Sequence, residues 1–200
     1  MIKFKIPTKS NLRSRTSTID NAFVISITPW ENPTNIEVQW MLNKLELDDQ
    51  QCAYCLTKAT SVDHFFPLVS NKLPTGYITE ISNLVPCCSS CNSSKGGKYW
   101  RDWYLSTDTL DRLISLGFSG EKITQRLKVL ESYENSKRIK LDYEKILGKE
   151  KWHEYLDRKQ KLYDLLKEDQ AFCDDLLSEI NSYLVRNGEN NERWRKQFYY

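Results

Sequence analysis

The chain has 200 residues, 40% of them hydrophobic and 28% charged, with a formal net charge of +2. This composition is ordinary for a folded globular chain and excludes wholesale disorder. No apolar run reaches the roughly 18 residues that span a bilayer, and the near-neutral total excludes a polybasic nucleic-acid coat.

The opening stretch MIKFKIPTKSNLRSR is basic and lacks the apolar core of a secretory signal, so the chain is expected to be cytoplasmic and free of the membrane. Residues 1–20 carry five Lys/Arg and one Asp, whereas residues 21–50 carry one Lys and five acids. A basic arm, suited to tracking phosphates or to lying solvated, thus precedes an acidic stretch. The apolar run Phe23 to Ile27 is stopped by Thr28-Pro29. Thr34 or Asn35 can then cap a helix through Leu47, with Ile36, Trp40 and Leu47 among its apolar positions. Arm and helix make a first segment, 1–50.

Five of the six cysteines follow, as Cys52-Ala-Tyr-Cys55 and Cys87-Cys88-Ser-Ser-Cys91. Two C-x-x-C pairs form a zinc pattern, because a two-residue gap lets a tight turn set both thiolates on one tetrahedral ion at about 2.3 Å. Cys87 with Cys91 is a competing C-x-x-x-C pair, but Cys88 copies the spacing of the first pair. Disulfides in an exported chain, or a redox C-x-x-C, fit less well without a signal segment or a βαβ pattern. Cys173 stands alone in a helical pattern and is expected to be buried.

Between the pairs, Ser61 to Pro67 reads as a short β-run, residues 71–76 as a turn, and Tyr77-Ile78-Thr79 as a second short strand. Asn83-Leu84-Val85 leads into the second pair, and a helix is expected from about Ser90 through Trp103. The ordered set Cys52/Cys55, Asp63-His64 with Pro67, Asn83-Leu84-Val85, and Cys88/Cys91 with Asn92, Lys95 and Gly96 resembles the HNH nuclease family. The resemblance covers residues 52 to about 104. It implies an α+β chain: a small zinc-bound ββα-metal nuclease core, 51–105, with a mainly α-helical C-terminal extension, 106–200.

The same resemblance implies the site. Cys52, Cys55, Cys88 and Cys91 would hold a structural Zn²⁺. His64 matches the general base, Asp63 and Asn92 match the ligands of a catalytic Mg²⁺ or Mn²⁺, and Asn83 matches the residue that orients the histidine ring by its carbonyl or backbone. Side-chain alternation along a strand divides Asp63 from His64. The implied reaction is metal-dependent hydrolysis of phosphodiester bonds in DNA, in a restriction or phage-defence nuclease, as a homodimer or with an ATPase partner subunit. A zinc-bound nucleic-acid-binding module without catalysis, or an RNA-cutting toxin, would carry the same pattern.

Past this block, Lys98 to Tyr104 interleaves basic and aromatic residues. Lys95, Lys98 and Arg101 are the candidate phosphate contacts, and Trp100, Trp103 and Tyr104 read more readily as helix core. Thr107 or Asp108 caps a helix ending near Gly117. Ile123, Leu127, Leu130 and Tyr133 keep helical spacing, as do Ile139, Tyr143 and Ile146. After Gly148, an apolar stripe from Leu162 to Tyr183 completes a packed helical extension, too broken for a long coiled coil. His153 has no metal-spaced partner and reads as structural. The closing run Arg193 to Tyr200 is basic and aromatic, suited to docking or to fraying.

Overall fold

In the computed structural model the described residues are 11–186; Lys3, Lys5, Lys9 and the run Arg193 to Tyr200 lie outside them. The chain divides into two compact units, Asp20–Glu150 on one hand and Met1–Ile19 with Lys151–Tyr200 on the other.

The larger unit contains most of α1 (Thr16–Ile27), which buries Asp20 and Val24, and then α2 (Asn35–Lys44). Thr34 is the cap of α2: its hydroxyl accepts the Glu37 N–H, and the Glu37 carboxylate accepts the Thr34 N–H at 2.7 Å. This reciprocal pair satisfies two end donors of the helix. Ile36, read as an inward position, is 83% exposed, because Met41, Leu42 and Leu45 supply the buried face.

β1 (Ser61–His64) pairs antiparallel with β4 (Leu84–Cys87), with His64 opposite Leu84 and Asp63 opposite Val85. β2 (Val69–Ser70) and β3 (Leu73–Pro74) form a separate small hairpin. The second strand is therefore not Tyr77-Ile78-Thr79. That segment makes only single bridges, Thr79 with Trp30 and Tyr77 with Lys140. Leu84 to Cys87 wins the place beside β1 because the cysteine pairs on either side tie it there.

The long helix expected over 90–103 is two helices, α3 (Ser89–Lys95) and α4 (Trp100–Tyr104). Gly96, at φ +50°, ends the first. Gly97 is held so close to the Val69 carbonyl that a Cβ would stand 3.3 Å from it. α5 (Thr107–Ser115), α6 (Gly120–Glu134) and α7 (Tyr143–Leu147) follow. Of the Ile139, Tyr143, Ile146 pattern only Tyr143 is buried, and Ile139 precedes the helix.

One core runs through positions 50 and 105, where the sequence suggests boundaries. It joins Met41, Leu45, Tyr54, Phe65, Trp100, Trp103, Leu113, Leu130 and Tyr133. Phe65 stacks on Trp100 at 4.9 Å and meets Tyr133 edge-on at 5.2 Å, geometries aromatic rings favour. Buried Arg126 of α6 donates to the Ala53 and Leu45 carbonyls, fastening α6 to the first cysteine pair. The Tyr133 hydroxyl donates to the Ile81 and Leu84 carbonyls at 2.9 Å.

In the other unit, Asn11 caps a 3-10 turn, Leu12–Arg15, and the Leu12 N–H donates to the Gln170 side chain at 2.7 Å. Gln170 lies on the 38-residue helix α8 (Lys149–Arg186). Its Trp152, Leu156, Leu166 and Leu177 are half-buried, but Leu162, Leu165, Phe172, Leu176 and Ile180 are exposed. The stripe read as packed is thus open to solvent, and Cys173, expected to be buried, is exposed with it.

Gly76 adopts φ +92°, and a Cβ there would fall 2.3 Å from the Leu141 carbonyl oxygen. The Leu141 N–H bonds the Gly76 carbonyl at 2.8 Å, so the two segments cannot separate freely. Gly76→Ala is expected to cost more than about 1 kcal/mol, read by urea unfolding of zinc-loaded protein.

Candidate functional site

The first cysteine pair lies on a tight turn: the Cys52 N–H bonds the Thr57 carbonyl, the Leu56 N–H bonds the Cys52 carbonyl, and Leu56 takes φ +57°. The Ala53 N–H donates to the Pro86 carbonyl at 2.8 Å, drawing this turn onto β4. The second pair begins α3, where Cys88 is the cap and its Sγ accepts the Cys91 N–H. The sulfurs of Cys52, Cys55, Cys88 and Cys91 are buried and lie within 4.8 Å of one another. Cys55 and Cys88 are 3.7 Å apart. Two thiolates on a tetrahedral ion with bonds of about 2.3 Å stand about 3.8 Å apart, so the set fits zinc.

Cys87 ends β4, and its thiol hydrogen-bonds the Cys88 carbonyl. It stands outside the four-sulfur cluster, which takes Cys88. Hydrogen bonds from Cys55, then Cys87 and Cys91, hold the Cys52 thiol far below the usual thiol range, and the bonds with Cys52 push Cys55 and Cys91 above it, so the negative charge of the cluster sits on Cys52. Arg112 of α5 supplies a cation: Nη1 lies 3.2 Å from Cys91 Sγ, and Nη2 lies 3.5 Å from Cys88 Sγ and 3.8 Å from Cys55 Sγ. The sequence gives no hint of Arg112, since it sits on a helix well past the last cysteine.

Asp63, His64 and Asn92 line one cleft of about 330 Å³, with Gly96 and Gly97 beside them and Asn21 and Ile25 of α1 completing the wall. Asp63 is buried and His64 half-buried, and both line the cleft although side chains alternate along a strand. Asp63 Oδ2 accepts from the Tyr54 hydroxyl at 2.8 Å and pairs with Lys95 Nζ at 3.0 Å. Burial, then the Asp63 charge, hold the Tyr54 phenol well above its usual value, so it stays a donor. The carboxylate's other oxygen is the one left for an ion. The Asn92 amide nitrogen donates to Ser61 Oγ at 3.2 Å, so its carbonyl oxygen is the atom that could hold an ion. A carboxylate and an amide oxygen suit a hard cation that keeps waters.

The comparisons agree with this geometry. Residues 52–98 match the HNH endonuclease family. The four clustered cysteines and Asp63, His64, Asn83 and Asn92 all fall within the matched segment. No curated protein and no solved structure matches the chain.

Within the matched segment the His64 ring is held by Nε2, 2.9 Å from Thr79 Oγ1. Thr79 is itself strung between Pro29 and Glu31 by backbone hydrogen bonds. Burial holds the imidazole below the usual histidine value; Asp63 opposes the shift and Lys95 adds to it. Asn83 acts one residue further along. Its carbonyl accepts the Phe65 N–H at 2.8 Å, and its side chain bridges the Phe66 backbone and the Ile78 carbonyl. Asn83 thus sets the chain leaving β1, and the ring's own partner is Thr79, which the sequence reading missed.

The three cations read as phosphate contacts part company. Lys95 is fully buried and bonds the His64 carbonyl at 2.7 Å as well as Asp63, so it faces the protein. Arg101 is ion-paired with Glu131. Lys98 is exposed, with its ammonium on the Ser94 carbonyl.

Cys88→Ser is expected to lose bound zinc, and Cys87→Ser to keep one equivalent, by metal analysis of the purified variants. Asp63→Ala leaves Lys95 buried without its carboxylate and is expected to cost about 3–5 kcal/mol by chemical unfolding. His64→Ala, which strands no charge, is expected to cost far less in the same measurement.

Proposed function

We propose that the chain is a metal-dependent HNH endonuclease that hydrolyses DNA phosphodiester bonds. The observation that carries this is the convergence of Asp63, His64 and Asn92 on one cleft inside a matched HNH domain. A zinc held by Cys52, Cys55, Cys88 and Cys91 would be structural, because four thiolates leave no open position for water. Mg²⁺ or Mn²⁺, bound through the oxygens of Asp63 and Asn92, would supply charge neutralisation at the phosphate.

His64 acts as the base. In the tautomer whose Nε2 donates to Thr79 Oγ1, Nδ1 is the nitrogen that takes a proton from the attacking water. A depressed pKa keeps the ring neutral, and thus able to accept, at neutral pH. The water oxygen bonds to phosphorus, the bond from phosphorus to the 3′ oxygen breaks, and solvent protonates the departing oxygen. Tyr54 and Lys95 fix the Asp63 carboxylate, and Asn83 fixes the chain after His64. Lys98 supplies an exposed cation near α3, and contacts of Lys95 and Arg101 with phosphate would need their present ion pairs to open.

With the matched domain at 52–98, the helical remainder is available for target choice, as a restriction or phage-defence nuclease working as a homodimer or with an ATPase partner subunit would require. The test is cleavage of supercoiled plasmid and of an RNA of equal sequence by zinc-loaded protein with Mg²⁺ or Mn²⁺. DNA nicking or cutting that requires the divalent ion is expected, with His64→Ala reduced by about 10²–10⁴-fold. Cutting of RNA alone would replace DNA by RNA as substrate. Binding without cutting of either would identify a catalytically silent module.

A further inference from the structure

We propose that the exposed apolar stripe of α8 is a self-association surface, which pairs antiparallel with the same stripe of a second copy of this chain. Leu162, Leu165, Phe172, Leu176 and Ile180 recur at helical spacing along one line, each between 39 and 62% exposed. They are distinct from the line through Trp152, Leu156, Leu166 and Leu177, which is half-buried in the chain itself. The stripe runs about 27 Å at 1.5 Å per residue. A run of large apolar side chains of that length on one helix face marks an interaction site.

The charges along α8 choose the occupant and its direction. Residues 149–167 hold six Lys/Arg against four acids; residues 168–186 hold five acids against one Arg. Two copies laid antiparallel set basic halves on acidic halves. In the register that places Leu165 opposite Leu176, Leu162 stands within one residue of Ile180 and Lys167 comes opposite Asp174. A parallel pair in register would instead put Asp169 against Asp169 and Glu179 against Glu179, which is repulsive. The surface is therefore complementary to itself, the condition for a two-fold interface. Such a pair would carry two HNH domains, one for each strand of a duplex. The proposal does not depend on the catalytic reading, because association is measured without substrate.

Sedimentation equilibrium of the full, zinc-loaded chain is expected to give twice the chain mass. Phe172→Glu with Leu176→Glu is expected to give the single mass, with helical circular dichroism and zinc content unchanged because both residues are exposed. For direction, Leu162→Cys and Ile180→Cys are made separately in a Cys173→Ser background, mixed, and treated with a short bismaleimide. Cross-links between the two variants are expected to predominate over those within either. A monomeric wild type, a dimer undisturbed by the glutamates, or cross-links mainly of 162 to 162 would overturn the proposal. So would a dimer that forms only after removal of residues 187–200, which would make that segment the stripe's own cover.

Discussion

A buried ammonium must be paired, and in this chain the pairing builds the site. Lys95 has no solvent exposure, and its Nζ reaches both the Asp63 carboxylate and the His64 carbonyl. An unpaired charge at that depth would be strongly destabilising, so the last residue of α3 can settle only where β1 offers these two acceptors. That fixes helix against strand and brings Asn92, one turn earlier on α3, to the same cleft as Asp63 and His64. It also consumes one carboxylate oxygen and balances the carboxylate's charge. A divalent ion would meet a nearly neutral pair of ligands and would need phosphate oxygens to complete its shell.

The fold was legible in the sequence where a local rule had no rival. Thr34, one of the two caps open to α2 in the sequence, is its cap, with Glu37 completing it, and the paired cysteines form the cluster that their spacing suggests. It was less legible where two segments competed for one place. Tyr77-Ile78-Thr79 has more β-propensity than Leu84-Val85-Pro86-Cys87, yet the latter pairs with β1, since the two cysteine turns flank that pairing. Tertiary placement overrode propensity, as it commonly does in short strands. The adjacent glycines at 96 and 97 gave a stop signal that the basic and aromatic run beyond them concealed.

The site itself was readable as a set of residue types and unreadable as a network. Asp63, His64 and Asn92 stood out by their order along the chain. Tyr54, Thr79 and Arg112 did not, because each acts across a gap that only the folded chain closes. Tyr54 hid inside a cysteine pair, where its neighbours drew the eye to metal. Lys95 shows the same limit: a lysine beside a metal motif looks like a phosphate ligand, and its complete burial, rare for a lysine, shows only in the folded chain.

The Thr79 hydroxyl carries a consequence for how portable the matched segment is. The residues that match the family span 52–98, and Thr79 is among them, but its backbone is stitched to Pro29 and Glu31. Arg112 and Arg126, which brace the cysteine cluster and the first cysteine turn, also come from outside the matched stretch. The orientation of the His64 ring and the rigidity of the metal knuckles are thus inherited from the host scaffold. Transplanting the matched segment alone would carry its ligands across and leave their alignment behind. In this chain the helical surroundings are the jig in which the smaller motif is held true.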